Sequence, residues 1–281
     1  MTDSSALALL LNRAESLLAR LEQVLPPVPE LPDWQAARAF RWRKGRGRGY
    51  LQPVLQPHGI RLADLTGIDD QKGRVVANTR QFVAGRPANN VLLTGSRGSG
   101  KSSLVKALLN DFADQGLRLI EVDKGDLVDL PDIVDQLEGR PERFILFCDD
   151  LSFEAGETAY KALKSVLDGS VAAPPDNVLI YATSNRRHLL PEYFSENLET
   201  TRHDGEIHPG EATEEKISLS ERFGLWISFY PFDQGHYLAI CAHWLQAFGH
   251  GALPRPEWER EALNWALGRG SRSGRVAWQF A

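Results

Sequence analysis

Cysteine and methionine are nearly missing from this 281-residue chain, which has two of the first and one of the second. Cys148 and Cys241 lie far apart with no metal-ligand spacing, which excludes a disulfide framework and a cysteine-built zinc site. Long apolar runs are also lacking. The longest near the start, Ala6–Leu11, has no basic residue before it and Arg13 and Glu15 soon after. It is too short for a membrane span, which takes about 20 apolar residues, and lacks the charge order of a secretory signal. The expectation is a cytoplasmic protein with no membrane insertion. A positive surplus is absent too: net charge is −5, so the field of the whole molecule does not attract nucleic acid. What remains is ordinary globular composition, 42% hydrophobic and 25% charged, long enough for two cores.

One local absence runs against that balance. Between Gln35 and Ala63 there is no acidic residue, while Arg38, Arg41, Arg43, Lys44, Arg46 and Arg48 crowd among Trp34, Phe40, Trp42 and Tyr50. Guanidinium groups neutralise phosphates and aromatic faces stack on bases, so one reading is a nucleic-acid contact. The other, favoured by the acidic total, is a solvated arm or one packed on an acidic face. Ahead of it, Leu7, Leu11, Ala14, Leu18, Leu21 and Leu25 form a heptad seam that either packs on the chain's own globular part or meets another subunit. Pro26-Pro27-Val28-Pro29 ends that helix.

Further on, the pattern alternates. Helices are expected over 69–84, after Lys101, near 131–137 and over 157–167. Short apolar strands are expected at 90–94, 117–122, 144–148, 178–182 and 225–230. Alternating strands and helices imply a parallel sheet covered on both faces. After Pro231 only helical patterns follow, near 236–248, 256–267 and 274–280. The chain thus divides into an N-terminal helix and proline-rich linker (1–32), a basic and aromatic arm (33–64), an α/β domain (65–231) and a small all-α lid (232–281).

Gly95-Ser96-Arg97-Gly98-Ser99-Gly100-Lys101-Ser102 matches G-x-x-x-x-G-K-S/T between a buried strand and a helix. Glycines let the backbone wrap phosphates, and the helix N-terminus adds fixed positive potential. Lys101 is expected on the β- and γ-phosphates and Ser102 on Mg²⁺, with Ser103 the next candidate contact. Phe144–Cys148 is a buried strand ending in Asp149 and Asp150. Asp149 suits the magnesium shell, and Asp150 suits orientation of the attacking water. ATP and Mg²⁺ are the expected ligands, and no N-K-x-D run suggests guanine recognition.

Together these motifs resemble the AAA+ ATPases, in family order over roughly 65–280. The resemblance implies a sensor role for Asn185, at the end of Val178–Ala182 plus Thr183-Ser184. It implies an arginine finger at Arg222, within Ser220-Glu221-Arg222-Phe223-Gly224, which completes a neighbouring subunit's site in a homo-oligomer. It implies a second sensor at Arg275, which follows Ser273-Gly274, and adenine contacts at Gly67 and Ile68. Pro87–Leu93, Asp149–Glu154 and Tyr181–Leu189 resemble an uncharacterised bacterial family, domain of unknown function 815, which supplies a fold and ATP binding but no task. Most AAA+ proteins carry Asp-Glu where this chain has Asp149-Asp150, so turnover is expected to be slow, with Glu154 as the alternative base. The polar stretch Ser195–Ser218, with His203 and His208, reads as a loop rather than a metal site. The resulting expectation is an ATPase that remodels a protein or nucleic-acid partner, with a slowly hydrolysing, nucleotide-controlled binding module as the alternative.

Overall fold

The computed structural model describes residues 11–18, 20, 32–45, 48–153, 157–168, 175–186, 189, 201–203, 206–208 and 221–281. Of the heptad seam, Leu7, Leu21 and Leu25 fall outside these residues. The helix α1 spans residues 11–18 and leaves Leu11 and Leu18 exposed at 57% and 59%. Packing of the seam on the chain's own globular part is therefore not realised at these two positions.

The main sheet has seven strands. Five of them are β3 (Val91–Gly95), β4 (Leu117–Glu121), β5 (Arg143–Cys148), β6 (Val178–Ser184) and, at one edge, β9 (Leu225–Phe229). All five run parallel, in the order β4-β5-β6-β3-β9. The middle three read as apolar runs because both faces are covered, as parallel sheets require. One face packs on α2 (Asp69–Val83) and α3 (Lys101–Phe112). The other packs on α4 (Leu130–Leu137) and α5 (Thr158–Asp168). Cys148 sits in the second core, where burial pushes its thiol up to about 12, so it is an inert packing residue.

Residues 33–64, set apart as a basic arm on sequence grounds, supply two more strands of this same sheet. They are β1 (Ala39–Gly45), parallel to β4, and β2 (Arg48–Pro53), antiparallel to β1. A strand sends successive side chains to opposite faces. Phe40 and Trp42 accordingly point into the core, and the intervening Arg41 points out. Gly49 leaves room for the Trp42 ring, since a Cβ there would lie 1.8 Å from it. The cations find acids of this same chain: Arg41 meets Glu121 at 2.6 Å, Arg43 meets Asp123 at 3.0 Å, and Lys44 meets Asp129 at 3.0 Å. At these three cations the arm packs on acids of its own chain; Arg46 lies outside the described residues.

Beyond β9 the chain is helical: α6 (Gln234–Ala247), α7 (Arg255–Arg269) and α8 (Gly274–Phe280) enclose a third core around Tyr237, Cys241 and Ala277. Asp233 caps α6 through the His236 amide and Ser273 caps α8 through the Val276 amide. Within the polar stretch 195–218, β7 (Thr201–His203) and β8 (Glu206–His208) form an antiparallel hairpin, a departure from the expected loop. Among the described residues no group of three or more His, Cys, Asp or Glu side chains is placed to hold a metal ion. Nor is any helix among them long and apolar enough to cross a membrane.

If β1 is part of the core, Phe40→Ala costs about 3–5 kcal/mol of unfolding free energy. Arg41→Ala, on a half-exposed pair, costs under about 1 kcal/mol. Urea unfolding followed by circular dichroism checks both, and an unchanged midpoint for Phe40→Ala contradicts the assignment.

Candidate nucleotide site

At the end of β3 the backbone must turn sharply into α3, and glycine makes this turn possible. Gly95 has φ of 126°, and a Cβ there would lie 1.9 Å from the Phe229 carbonyl oxygen. Gly98 has φ of 76°, and a Cβ would lie 2.6 Å from that of Ser273. Both conformations and both close approaches exclude side chains. Across the second one, the Gly274 amide at the start of α8 donates to the Gly98 carbonyl at 2.9 Å, tying the lid to the loop.

Lys101 opens α3 and folds back over the loop. Its ammonium donates to the carbonyls of Gly95 and Ser96, both at 2.8 Å, and to Asn185 Oδ1 at 3.0 Å. The residue is 5% exposed, and burial holds its pKa below the ordinary lysine value, with Asp150 and Asp149 opposing that shift.

Two carboxylates face the loop from the end of β5. Asp149 Oδ1 accepts from Ser102 Oγ and from Thr183 Oγ1, each at 2.6 Å. Asp150 is exposed and has φ of 53°, in the left-handed region that asparagine and aspartate tolerate best. Its amide donates to Thr183 Oγ1 at 2.9 Å, and its Oδ1 accepts from Asn185 Nδ2 at 2.5 Å. A hydroxyl beside a carboxylate is the oxygen donor set a hard cation such as Mg²⁺ accepts, with its remaining positions left to water and phosphate.

These groups line one side of a cleft of about 610 Å³. The structure brings together in it Ile68, Arg97, Gly98, Ser99, Gly100, Lys101, Ser102, Ser103, Asp149, Asp150, Asn185 and Arg275. Gly95 and Ser96 lie just behind, as acceptors for Lys101. Gly67 is not on the cleft wall. Its φ is 75°, and it abuts Phe232 and His236 of the lid side, between the wall residues Thr66 and Ile68. Arg222 is elsewhere: its Nε pairs with Asp168 at the end of α5, and neither residue lines the cleft. Glu154 lies outside the described residues.

Sequence reasoning missed Thr183 and the lid aromatics Trp244 and Trp278, which also line the cleft. The hydroxyls of Thr183 and Ser184 beside Asn185 were visible, but nothing in their neighbours told which of the two reaches a carboxylate. The Thr66 hydroxyl is buried on this wall and has no hydrogen-bond partner among the described residues.

A parallel sheet, a glycine turn from β3 into a helix, paired acids at the end of β5 one strand away and a helical region beside the cleft make up a P-loop fold of the AAA+ type. The chain belongs to the family described as "Protein of unknown function (DUF815)", whose model matches residues 35–281. Among solved structures it is similar to a chain of the HORMA:CdnC:Trip13 complex of Escherichia coli MS115-1. Identity there is 14% and TM-score 0.50, over 78% of this chain and 88% of that one. It is also similar to the Orc1 protein of Aeropyrum pernix in complex with DNA, at 16% identity and TM-score 0.50, over 78% of this chain and 61% of that one. At such identities the likeness is one of fold. No protein with a curated description matches the chain.

The depressed Lys101 has a consequence for stability. A lysine whose pKa is lower folded than unfolded costs stability while charged, and the cost fades as pH rises past the folded value toward the unfolded one, about 10. Lys101→Met therefore leaves the nucleotide-free protein at least as stable as the wild type near neutral pH, with the difference shrinking in alkali. Thermal unfolding across that range checks this, and a lower Tm for the variant at neutral pH contradicts it.

Proposed function

We propose that this chain is a Mg²⁺-dependent ATPase that acts as a homo-oligomer to remodel a protein or nucleic-acid partner in the cytoplasm. The observation carrying this reading is the run of contacts Ser102–Asp149, Lys101–Asn185 and Asn185–Asp150, at 2.6, 3.0 and 2.5 Å on one wall of the cleft. The lysine, the hydroxyl–carboxylate pair and the second carboxylate that phosphoryl transfer to water uses lie within hydrogen-bond reach of one another there.

Loop amides and the start of α3 receive the phosphates, and Lys101 exchanges carbonyl oxygens of its own backbone for phosphate oxygens. Ser102 and Asp149 hold Mg²⁺, which when bound neutralises phosphate charge. Asp150 orients the attacking water and takes up its proton as the oxygen bonds to the γ-phosphorus and the bond to the β-phosphate oxygen breaks. Asn185 holds Asp150 for this task through its Nδ2. Arg275 reaches the γ-phosphate from the lid, while Ile68 and the adjoining Gly67 backbone stand at the base. Arg222, distant from its own cleft, serves the site of the next subunit after leaving Asp168.

A slower variant of the same reading, in which bound nucleotide mainly controls partner binding, is favoured by Asp150 itself. It is one methylene shorter than the usual glutamate and is tied at both its amide and its carboxylate.

Removing a general base lowers rates by about 100- to 10,000-fold. Asp150→Asn is expected to lower steady-state ATPase activity within that range while calorimetry still registers nucleotide binding. An unchanged rate removes Asp150 from the role. An arginine finger contributes about 1,000- to 100,000-fold. Mixing Arg222→Ala with Lys101→Ala subunits is therefore expected to restore part of the activity that each lacks alone, and absence of rescue at every ratio contradicts action in trans.

A further inference from the structure

One hydroxyl sits between the two carboxylates. Thr183, 1% exposed on the central strand β6, donates to Asp149 Oδ1 and accepts from the Asp150 amide. Its carbonyl accepts from the Leu151 amide at 2.7 Å, and Ser184 Oγ donates to the Leu151 carbonyl at 2.7 Å. The end of β6 thus gathers two consecutive amides of the chain leaving β5. An extended backbone points successive amides to opposite sides, so both reach one residue only because Asp150 bends into the left-handed region. The unusual conformation at Asp150 and the hydroxyl at Thr183 are two sides of one arrangement.

The second feature is the load on Asp149. Its Oδ1 already receives two hydroxyl protons, from Ser102 and Thr183, and among the described residues Oδ2 receives none. A carboxylate pinned through one oxygen presents the other in a fixed direction. We infer that Thr183 is the positioning residue of this site: it fixes the Asp149 carboxylate that would hold Mg²⁺ and, through the same oxygen, the backbone of Asp150. Partners of this kind around a metal ligand are worth about 10- to 100-fold in metal affinity or activity. The inference rests on the proposed Mg-nucleotide reading and adds to it the residue that sets the acids. It also couples them, since any movement of Asp149 acts through the Thr183 hydroxyl on the Asp150 amide.

The test is calorimetric titration with the non-hydrolysable analogue AMP-PNP, with Mg²⁺ and with EDTA, on the wild type, Thr183→Val, Thr183→Ser and Ser184→Ala. Valine keeps the shape and β-branching of threonine and removes only the hydroxyl, so folding on β6 is retained. In Thr183→Val the gain in affinity that Mg²⁺ brings is expected to fall by about 10-fold or more. Affinity in EDTA should stay at the wild-type value, and kcat should fall more than KM rises. Thr183→Ser restores the Mg²⁺ gain. Ser184→Ala, which loosens the same turn without touching either carboxylate, lowers Tm and leaves that gain intact. If Thr183→Val keeps the full Mg²⁺ gain, or if Ser184→Ala loses it equally, Thr183 is a structural hydroxyl and the inference is overturned. If the wild type binds no nucleotide in either condition, the functional reading itself has failed, which is a different result from both.

Discussion

Everything in this molecule that bears on nucleotide meets at the backbone between Gly95 and Lys101. Three separate parts of the chain lean on that turn. At Gly95 it is the carbonyl of Phe229 on β9, at Gly98 it is Ser273 and the start of α8, and at Gly100 it is Ile68. A turn crowded on three sides by backbone and lid cannot relax into another shape without moving the sheet edge, the lid or the segment 66–68. Gly95, Gly98 and Gly100 take their positive φ angles without the steric penalty a side chain would bring, so the loop keeps this path on the sheet.

The sheet supplies the second constraint. In an open parallel sheet, groups at the carboxyl ends of neighbouring strands gather on one edge, which is why such sheets bind ligands there. Here β3, β5 and β6 deliver the loop, the paired acids and the Thr183 to Asn185 turn to a single wall. The register pairs Thr94 with Ser184 and Cys148 with Ala182, so the ends are level and side chains one or two residues further on meet directly. The hydrogen bonds among Ser102, Asp149, Thr183, Asp150 and Asn185 follow from that levelness. The helical region adds the aromatic side chains of Trp244 and Trp278 to the lining of the same cleft.

Much of this was legible in the residues. A glycine-rich run between an apolar strand and a helix is local, so its place and shape could be read directly, as could the acids ending β5 and the three helices after Pro231. Features made by distant pairs could not. The cations near Arg41 looked unopposed because the acids they meet, Glu121, Asp123 and Asp129, come about eighty residues later. The alternation of Phe40, Arg41, Trp42 and Arg43 carried the strand signal all along, masked by the charge. Thr183 gave no sign for a like reason: its significance lies in how close it stands to Asp149 and Asp150, on another strand. Trp244 and Trp278 are ordinary helix residues until α6 and α8 fold over the loop. Arg222, singled out by its motif, pairs with Asp168 and lies away from the cleft of its own chain.

The most direct test of the account is a crystal structure of the protein grown with Mg²⁺ and a non-hydrolysable ATP analogue. The account predicts phosphates against the amides of Gly98–Ser102, the Lys101 ammonium turned from the Gly95 and Ser96 carbonyls to the phosphates, and the base toward the lid. Nucleotide bound at any other surface, or a cleft that stays free of it at saturating concentration, would contradict it.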